Sequence, residues 1–340
     1  MVFLSGRPPV TFKKPLFCSI LANTKLSTIP GVSGAGPSSE ETLLTPVLDA
    51  ELISCGTITS HPGKPNTPSG CPTPASITRA MLKLLGMEPV FINAGLYHSP
   101  TVPCLDVYGE PGDDPRYYLA VNRAKTLFER GRFIGRFLSG CGDLLVLGEC
   151  VPGGTTTALC VLRALGYDAA VSSSLVKNPV NKKEEICASV LRRIQTDRIS
   201  EPLDIVRYTG DPMMAVAAGI AKTYSGEILL AGGTQMLAVA AIIKALGGQL
   251  PYVVTTIYVK RDASANIESL AKQIEVKMFF VDPEFENIGH DGLARYCTGE
   301  VKEGMGAGGA MCLANLTGYS PDVIRRTILS TVNAYTRTAL

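Results

Sequence analysis

Short apolar runs alternate along this chain with longer stretches in which apolar side chains return every third or fourth position. The short runs, read as strands, fall at 16–24, 88–93, 144–148, 169–173, 202–208, 227–231, 252–259 and 277–281. Between them, helical patterning covers 40–53, 74–85, 118–139, a run opening near 154–155, then 183–195, 212–224, 235–246 and 267–273. Pro74 and Pro321 stand where a first helical turn accepts proline, and Ser320 is placed to cap a last helix over 320–335. The stretch 57–73, dense in Pro, Gly, Ser and Thr, reads as an ordered irregular loop, and 29–39 as a surface connection or a lid.

Regular strand–helix alternation with short connections implies βαβ crossovers and a mainly parallel sheet. The strands lack a clean period of two, which fits burial on both faces. The predicted fold class is therefore α/β, doubly wound and Rossmann-like.

Composition narrows this picture. With 340 residues, 46% hydrophobic and 18% charged, the chain can bury a large core. A net charge of +2 argues against a nucleic-acid surface, and basic residues on 118–139 read as the solvated face of an amphipathic helix. Ten cysteines form no C-x-x-C pair, so they read as buried thiols in a reducing compartment; with three histidines, no zinc spacing exists. Neither a secretory signal nor a membrane span is evident, and a cytoplasmic location is expected.

Chemistry concentrates in three glycine-bearing segments: GECVPGGTTT (148–157), AGGTQM (231–236) and KEGMGAGGAM (302–311). Each sets glycines just ahead of an apolar helical run, bringing helix N–H groups and bare backbone to a ligand. In the first, Glu149 ends a strand, Gly153 and Gly154 form the turn, and Thr155, Thr156 and Thr157 supply hydroxyls or an N-cap. Gly232, Gly233 and Thr234 repeat the arrangement, and Glu303 precedes Gly304 and Gly306 in the last. A glutamate among glycines and apolar residues is partly desolvated, which raises its pKa toward the range of a general base. The plainer role for Glu149 or Glu303 is to stabilise a helix dipole, and for Asp211, before Pro212, to cap a helix. GxxxxGK[ST] and GxSxG are absent, and no GxGxxG follows an early strand, so mononucleotide P-loop, serine acyl-transfer and standard dinucleotide chemistry lack support; GMGAGG at 304–309 alone keeps a dehydrogenase or methyltransferase reading open.

The pair GEC-x-x-GGTTTA and EGMGAGGAM resembles the nicotinate-nucleotide–dimethylbenzimidazole phosphoribosyltransferases, with greatest similarity to their archaeal branch; order and spacing agree over 140–315. The resemblance implies transfer of the phosphoribosyl group of nicotinate mononucleotide to a benzimidazole-type or purine-type base in cobamide lower-ligand assembly, without a cofactor or metal. It implies Glu303 as general base, Glu149 assisting at the anomeric centre, Gly153 to Thr156 around the phosphate, and Gly232, Gly233, Thr234, Gly304 and Gly306 in the same pocket. Val151 stands for a glycine of the family's motif, Gly154 for an asparagine, Lys302 for a glycine and Met305 for a small hydroxyl residue. Those departures leave a non-catalytic nucleotide-binding accessory protein as the alternative. A homodimer is also implied, as is a core over 70–315 with a smaller lobe built from 1–69 and 316–340.

Overall fold

Seven strands form one parallel sheet in the order β3-β2-β1-β4-β5-β6-β7: β1 (Pro15–Ala22), β2 (Val90–Gly95), β3 (Leu105–Asp106), β4 (Leu144–Cys150), β5 (Glu227–Ala231), β6 (Tyr252–Thr256) and β7 (Met278–Val281). They belong to a computed structural model that describes residues 2–36, 38–62 and 65–337, with side chains up to 334. In chain order the helices are α1 (Ser39–Cys55), α2 (Pro74–Leu85), α3 (Ala124–Ser139), α4 (Gly154–Ala164), α5 (Val180–Thr196), α6 (Pro202–Thr209), α7 (Pro212–Thr223), α8 (Thr234–Ala245), α9 (Ile257–Lys260), α10 (Ile267–Ile274), α11 (Asp291–Ala294), α12 (Ala307–Leu316) and α13 (Pro321–Arg337).

Two apolar cores explain the layering. Residues of α3 to α8 and α10 pack on one face of the sheet, and residues of α1, α2, α12 and α13 on the other. Every residue of β4 is buried, as a strand covered on both faces requires. Local signals placed many ends correctly: Thr73 caps α2, Pro74 opens it, and Gly86 closes it in the left-handed region at φ 63°. Ser320 Oγ accepts from Val323 N at the start of α13.

Several expectations fail for physical reasons. Residues 202–208 are helical, not extended: Pro202 and Asp204 begin α6, and Ile205, Val206 and Thr209 share its buried side. Eight residues are too few for apolar period to separate the two states. Residues 169–173 pair with no strand, because β1 and β5 already flank β4. Their backbone is satisfied by side chains instead; Asn266 Oδ1 accepts from Ala170 N at 2.9 Å and Asn178 Nδ2 donates to Val171 O at 2.8 Å. The 252–259 run changes from β6 to the turn of α9 at Ile257, the helix expected from 118 begins at Ala124, and β3 had no apolar signature. Pro15–Ala22 lies inside the sheet between β2 and β4, so 1–69 contributes a core strand and not only a lobe. Among the cysteines, Cys55 and Cys297 are exposed and Cys18, Cys71, Cys150, Cys160, Cys187 and Cys312 are buried.

The chain leaves β1 toward β2 on one side and reaches β4 on the other. Strand order therefore reverses between β1 and β4, and ligands of open α/β sheets bind beyond the carboxyl ends of the strands at such a point. Glu149 sits there, opposite Ile20.

Candidate active site

A cavity of about 650 Å³ opens at this end of the sheet, within the size range of small-molecule sites. Glu149, Gly153, Gly154, Thr155, Gly233, Thr234, Glu303 and Gly304 all line it. Three segments far apart in sequence are thus brought to one space. Thr156 is fully buried behind the wall, Gly306 lies beneath it, and Gly232 packs against the Met236 side chain, so these three are supporting positions.

The first and last glycine segments touch directly. Met305 N donates to the main-chain carbonyl of Glu149 at 3.0 Å. A Cβ on Gly148 would stand 3.0 Å from Gly306 Cα, so the loop can lie on β4 only while both positions are bare. Glycines of the GMGAGG run serve the same close approach of α12 to the sheet: a Cβ on Gly309 would meet Ala231 Cβ at 2.3 Å. That packing role accounts for Gly306 and Gly309 without a dinucleotide.

Glu303 is held on strained backbone. Val301, Lys302 and Met305 have φ of 64°, 68° and 49°, with Gly304 and Gly306 also positive. For a β-branched residue such as Val301 this is a rare conformation that costs ~1–3 kcal/mol and persists only where its surroundings hold it. The loop places the Glu303 carboxylate among four donors: Gly304 N (3.2 Å) and Gly308 N (3.1 Å) on Oε1, Thr255 Oγ1 (3.1 Å) and Thr256 N (2.9 Å) on Oε2. Burial raises its pKa, and these four donors oppose that by favouring the charged form.

Glu149 differs. It is almost fully buried, and only Oε2 is engaged, by Val151 N at 3.0 Å and Gln235 Nε2 at 2.7 Å. Burial pushes its pKa up to about 8, with the Asp211 and Glu303 charges adding to the rise. Asp211 caps α7 through Met214 N, as its sequence context predicts, and accepts from Thr157 Oγ1 at 2.6 Å.

Hydroxyls also line the cavity, backed by two buried lysines. Gly153, not a threonine, is the N-cap of α4, at φ 78°. Lys183 Nζ donates to Thr155 Oγ1 at 3.0 Å and to Ser172 O at 2.6 Å, which leaves the Thr155 hydroxyl hydrogen for a ligand. Burial and the neighbouring Lys302 lower the Lys183 pKa to about 7. Lys302 donates to Ser173 O and Leu175 O and pairs with Asp262 at 3.3 Å. Thr234 Oγ1, at the start of α8, is buried without a protein partner.

Gln235, Lys183 and the 172–174 hydroxyls were not foreseen. A signal existed for one: Lys183 is in phase with Ile186, Val190 and Ile194 on the buried stripe of α5, where a cation is out of place unless it is used. Gly154 has a matching explanation, since a Cβ there would lie 2.3 Å from Gln235 Nε2. Among the described residues, no cluster has the makeup of a metal site and no helix is long and apolar enough to cross a membrane.

Fold and site together define a Rossmann-type α/β protein with a two-carboxylate pocket at its switch point. The chain belongs to the UPF0284 family: it is 44% identical to the UPF0284 protein of Methanosarcina acetivorans over 323 residues, covering 92% of this chain and 93% of that one. The UPF0284 protein of Thermococcus onnurineus is 41% identical, covering 93% and 96%. No protein-family model matches. Among solved structures, the nicotinate-nucleotide–dimethylbenzimidazole phosphoribosyltransferase of Thermus thermophilus superposes with a TM-score of 0.63 at 15% identity, covering 93% of this chain and 83% of that chain. A structure of CobT from the same organism gives a TM-score of 0.63 at 14% identity, covering 94% and 84%. At these identities the likeness establishes a common fold.

Proposed function

We propose that this protein transfers the phosphoribosyl group of nicotinate mononucleotide to an aromatic nitrogen base, of benzimidazole or purine type, in cobamide lower-ligand assembly. One observation carries the reading: Glu149 and Glu303 meet in a single cavity that is also lined by the α4 turn, backed by Lys183. The nucleotide phosphate would lie against Gly153, Gly154 and Thr155, where a helix N-terminus and a lysine-supported hydroxyl favour an anion.

In the reaction, a ring nitrogen of the base attacks C1′, the C1′–nitrogen bond to nicotinate breaks with its electron pair going to the departing pyridine nitrogen, and the attacking base loses its N–H proton. Two carboxyls held in unlike environments divide such work. Glu303, whose four donors favour its ionised form, is the proton acceptor; the Thr255 hydroxyl is the partner that can rotate away to free a lone pair. Glu149, at about 8, is neutral at pH 7 and offers a carboxyl O–H beside the anomeric centre. Holding two reactants in line removes most of the entropic barrier.

Incubating the protein with nicotinate mononucleotide and benzimidazole tests this: nicotinate and benzimidazole ribotide should appear in equal amounts. Binding of the nucleotide with both reagents recovered unchanged would favour the accessory-protein alternative. We also expect a homodimer, and Phe133 and Phe137, exposed one turn apart on α3, offer an apolar face for it. Sedimentation of a monomer at micromolar concentration would refute that.

A further inference from the structure

One carboxyl on the cavity wall has no part in the proposed transfer. Asp49 lies on α1, 6% exposed, in phase with the buried Pro46 and Ile53. Its Oδ1 accepts from Thr73 Oγ1 at 2.8 Å, and its Oδ2 has only a long contact from Cys150 Sγ at 3.8 Å. Among the described residues no lysine, arginine or histidine pairs with it. A carboxyl has about four acceptor positions, so Asp49 keeps acceptor capacity facing the cavity. Supporting Thr73, the cap of α2, uses a single oxygen and needs no charge. Burial, with no cation beside it among the described residues, pushes the group up to about 7, an unfavourable arrangement unless a ligand supplies a donor.

Its surroundings indicate which part of a ligand it meets. Asp49 lines the same cavity as Glu149 and Glu303, in contact with Cys150, and Leu48, Ile58 and Pro74 also line it. Apolar side chains flanking one acceptor suit a flat heterocycle with a polar substituent on one edge.

We propose that Asp49 accepts a hydrogen bond from an exocyclic amino or hydroxyl group on the base, on the edge remote from its reacting nitrogen, so that the site selects donor-bearing heterocycles over alkyl-substituted ones. This rests on the transfer reading for the identity of the base. A site built to bond a donor rejects an isostere lacking it, because its own polar group is then left unpaired.

The test compares 5-aminobenzimidazole with 5-methylbenzimidazole, similar in size, by calorimetry on protein saturated with nicotinate mononucleotide, with product formation followed in parallel. The parent should bind the amino compound about tenfold or more tighter, the range for bonds to charged acceptors. Asp49→Asn keeps an acceptor for Thr73 but turns the other oxygen into a donor, and should bring the ratio to about one or below. Thr73→Val removes the internal partner and should leave the preference intact. A parent ratio near one, an undiminished ratio in Asp49→Asn, or failure of both bases to bind would overturn the proposal. Intact discrimination with no product from either base would support Asp49 as the selecting group and refute the transfer reading alone; product from both bases without discrimination would do the reverse.

Discussion

Glu149 and Glu303 share a residue type, a glycine-rich context and a cavity, yet their environments push them apart. Glu149 ends a strand inside the core, engages donors through one oxygen, and is driven toward the neutral form. Glu303 rides on left-handed backbone ahead of α12 and gathers four donors, three of them backbone N–H groups, that favour its charge. Local composition does not fix what a carboxylate does; the count and fixity of its donors decide. Two glutamates that look equivalent in sequence end with unlike partners, four donors shared over both oxygens of Glu303 and two on a single oxygen of Glu149.

Removing the acceptor should break this pairing most severely. Glu303→Gln is expected to lower kcat by ~10²–10⁴-fold, the usual contribution of a positioned base, while nicotinate mononucleotide binds within a few-fold of the parent. Full turnover in this variant would refute the assignment. Behind the α4 turn, Lys183→Met should weaken nucleotide binding by ~10–100-fold in Kd, as loss of a charge-assisted contact does. The folded pKa of Lys183, lowered to about 7, adds a sign: above pH 7 the free protein loses that charge, so affinity falls as pH rises and binding takes up protons. Calorimetry in buffers of different ionisation enthalpy reads this directly; no proton uptake at pH 8 would contradict it.

Stability separates the glutamates more gently. The Glu149 pKa is raised on folding, so its contribution is complete below the unfolded value near 4.5 and is lost as pH rises toward 8. Glu149→Gln should therefore raise Tm by ~2–5 °C at pH 9 and change it little at pH 5. A gain of equal size at both would point to packing instead. Smallest is Gln235→Leu, which removes a donor that favours the Glu149 charge: any alkaline decline of kcat should move up by ~0.5–1 pH unit. A shift downward would mean that Gln235 does not act through Glu149.

Much of this could be read from the chain. Caps and prolines located α2, α7 and α13, and the glycine segments marked three walls of the cavity before any fold was known. What stayed hidden depends on tertiary placement. Lys183 and Asp49 lie on apolar stripes of helices that seemed ordinary, and only packing against the α4 turn and Cys150 gives them meaning. α6 has too few residues for its period to register, and 169–173 has strand composition but no free sheet edge to join. The strain at Val301 and Lys302 is invisible in composition, since neither residue type marks a left-handed turn.

The pH dependence of kcat in the parent, Glu149→Gln and Glu303→Gln tests the division of roles most directly. A neutral amide imitates protonated Glu149, so Glu149→Gln should stay within about tenfold of the parent at pH 7 and lose the decline that the parent shows through about pH 8, while Glu303→Gln stays nearly inactive throughout. If Glu149→Gln were as inactive as Glu303→Gln at pH 7, or kept the parent's alkaline decline, the neutral-partner role of Glu149 would be contradicted.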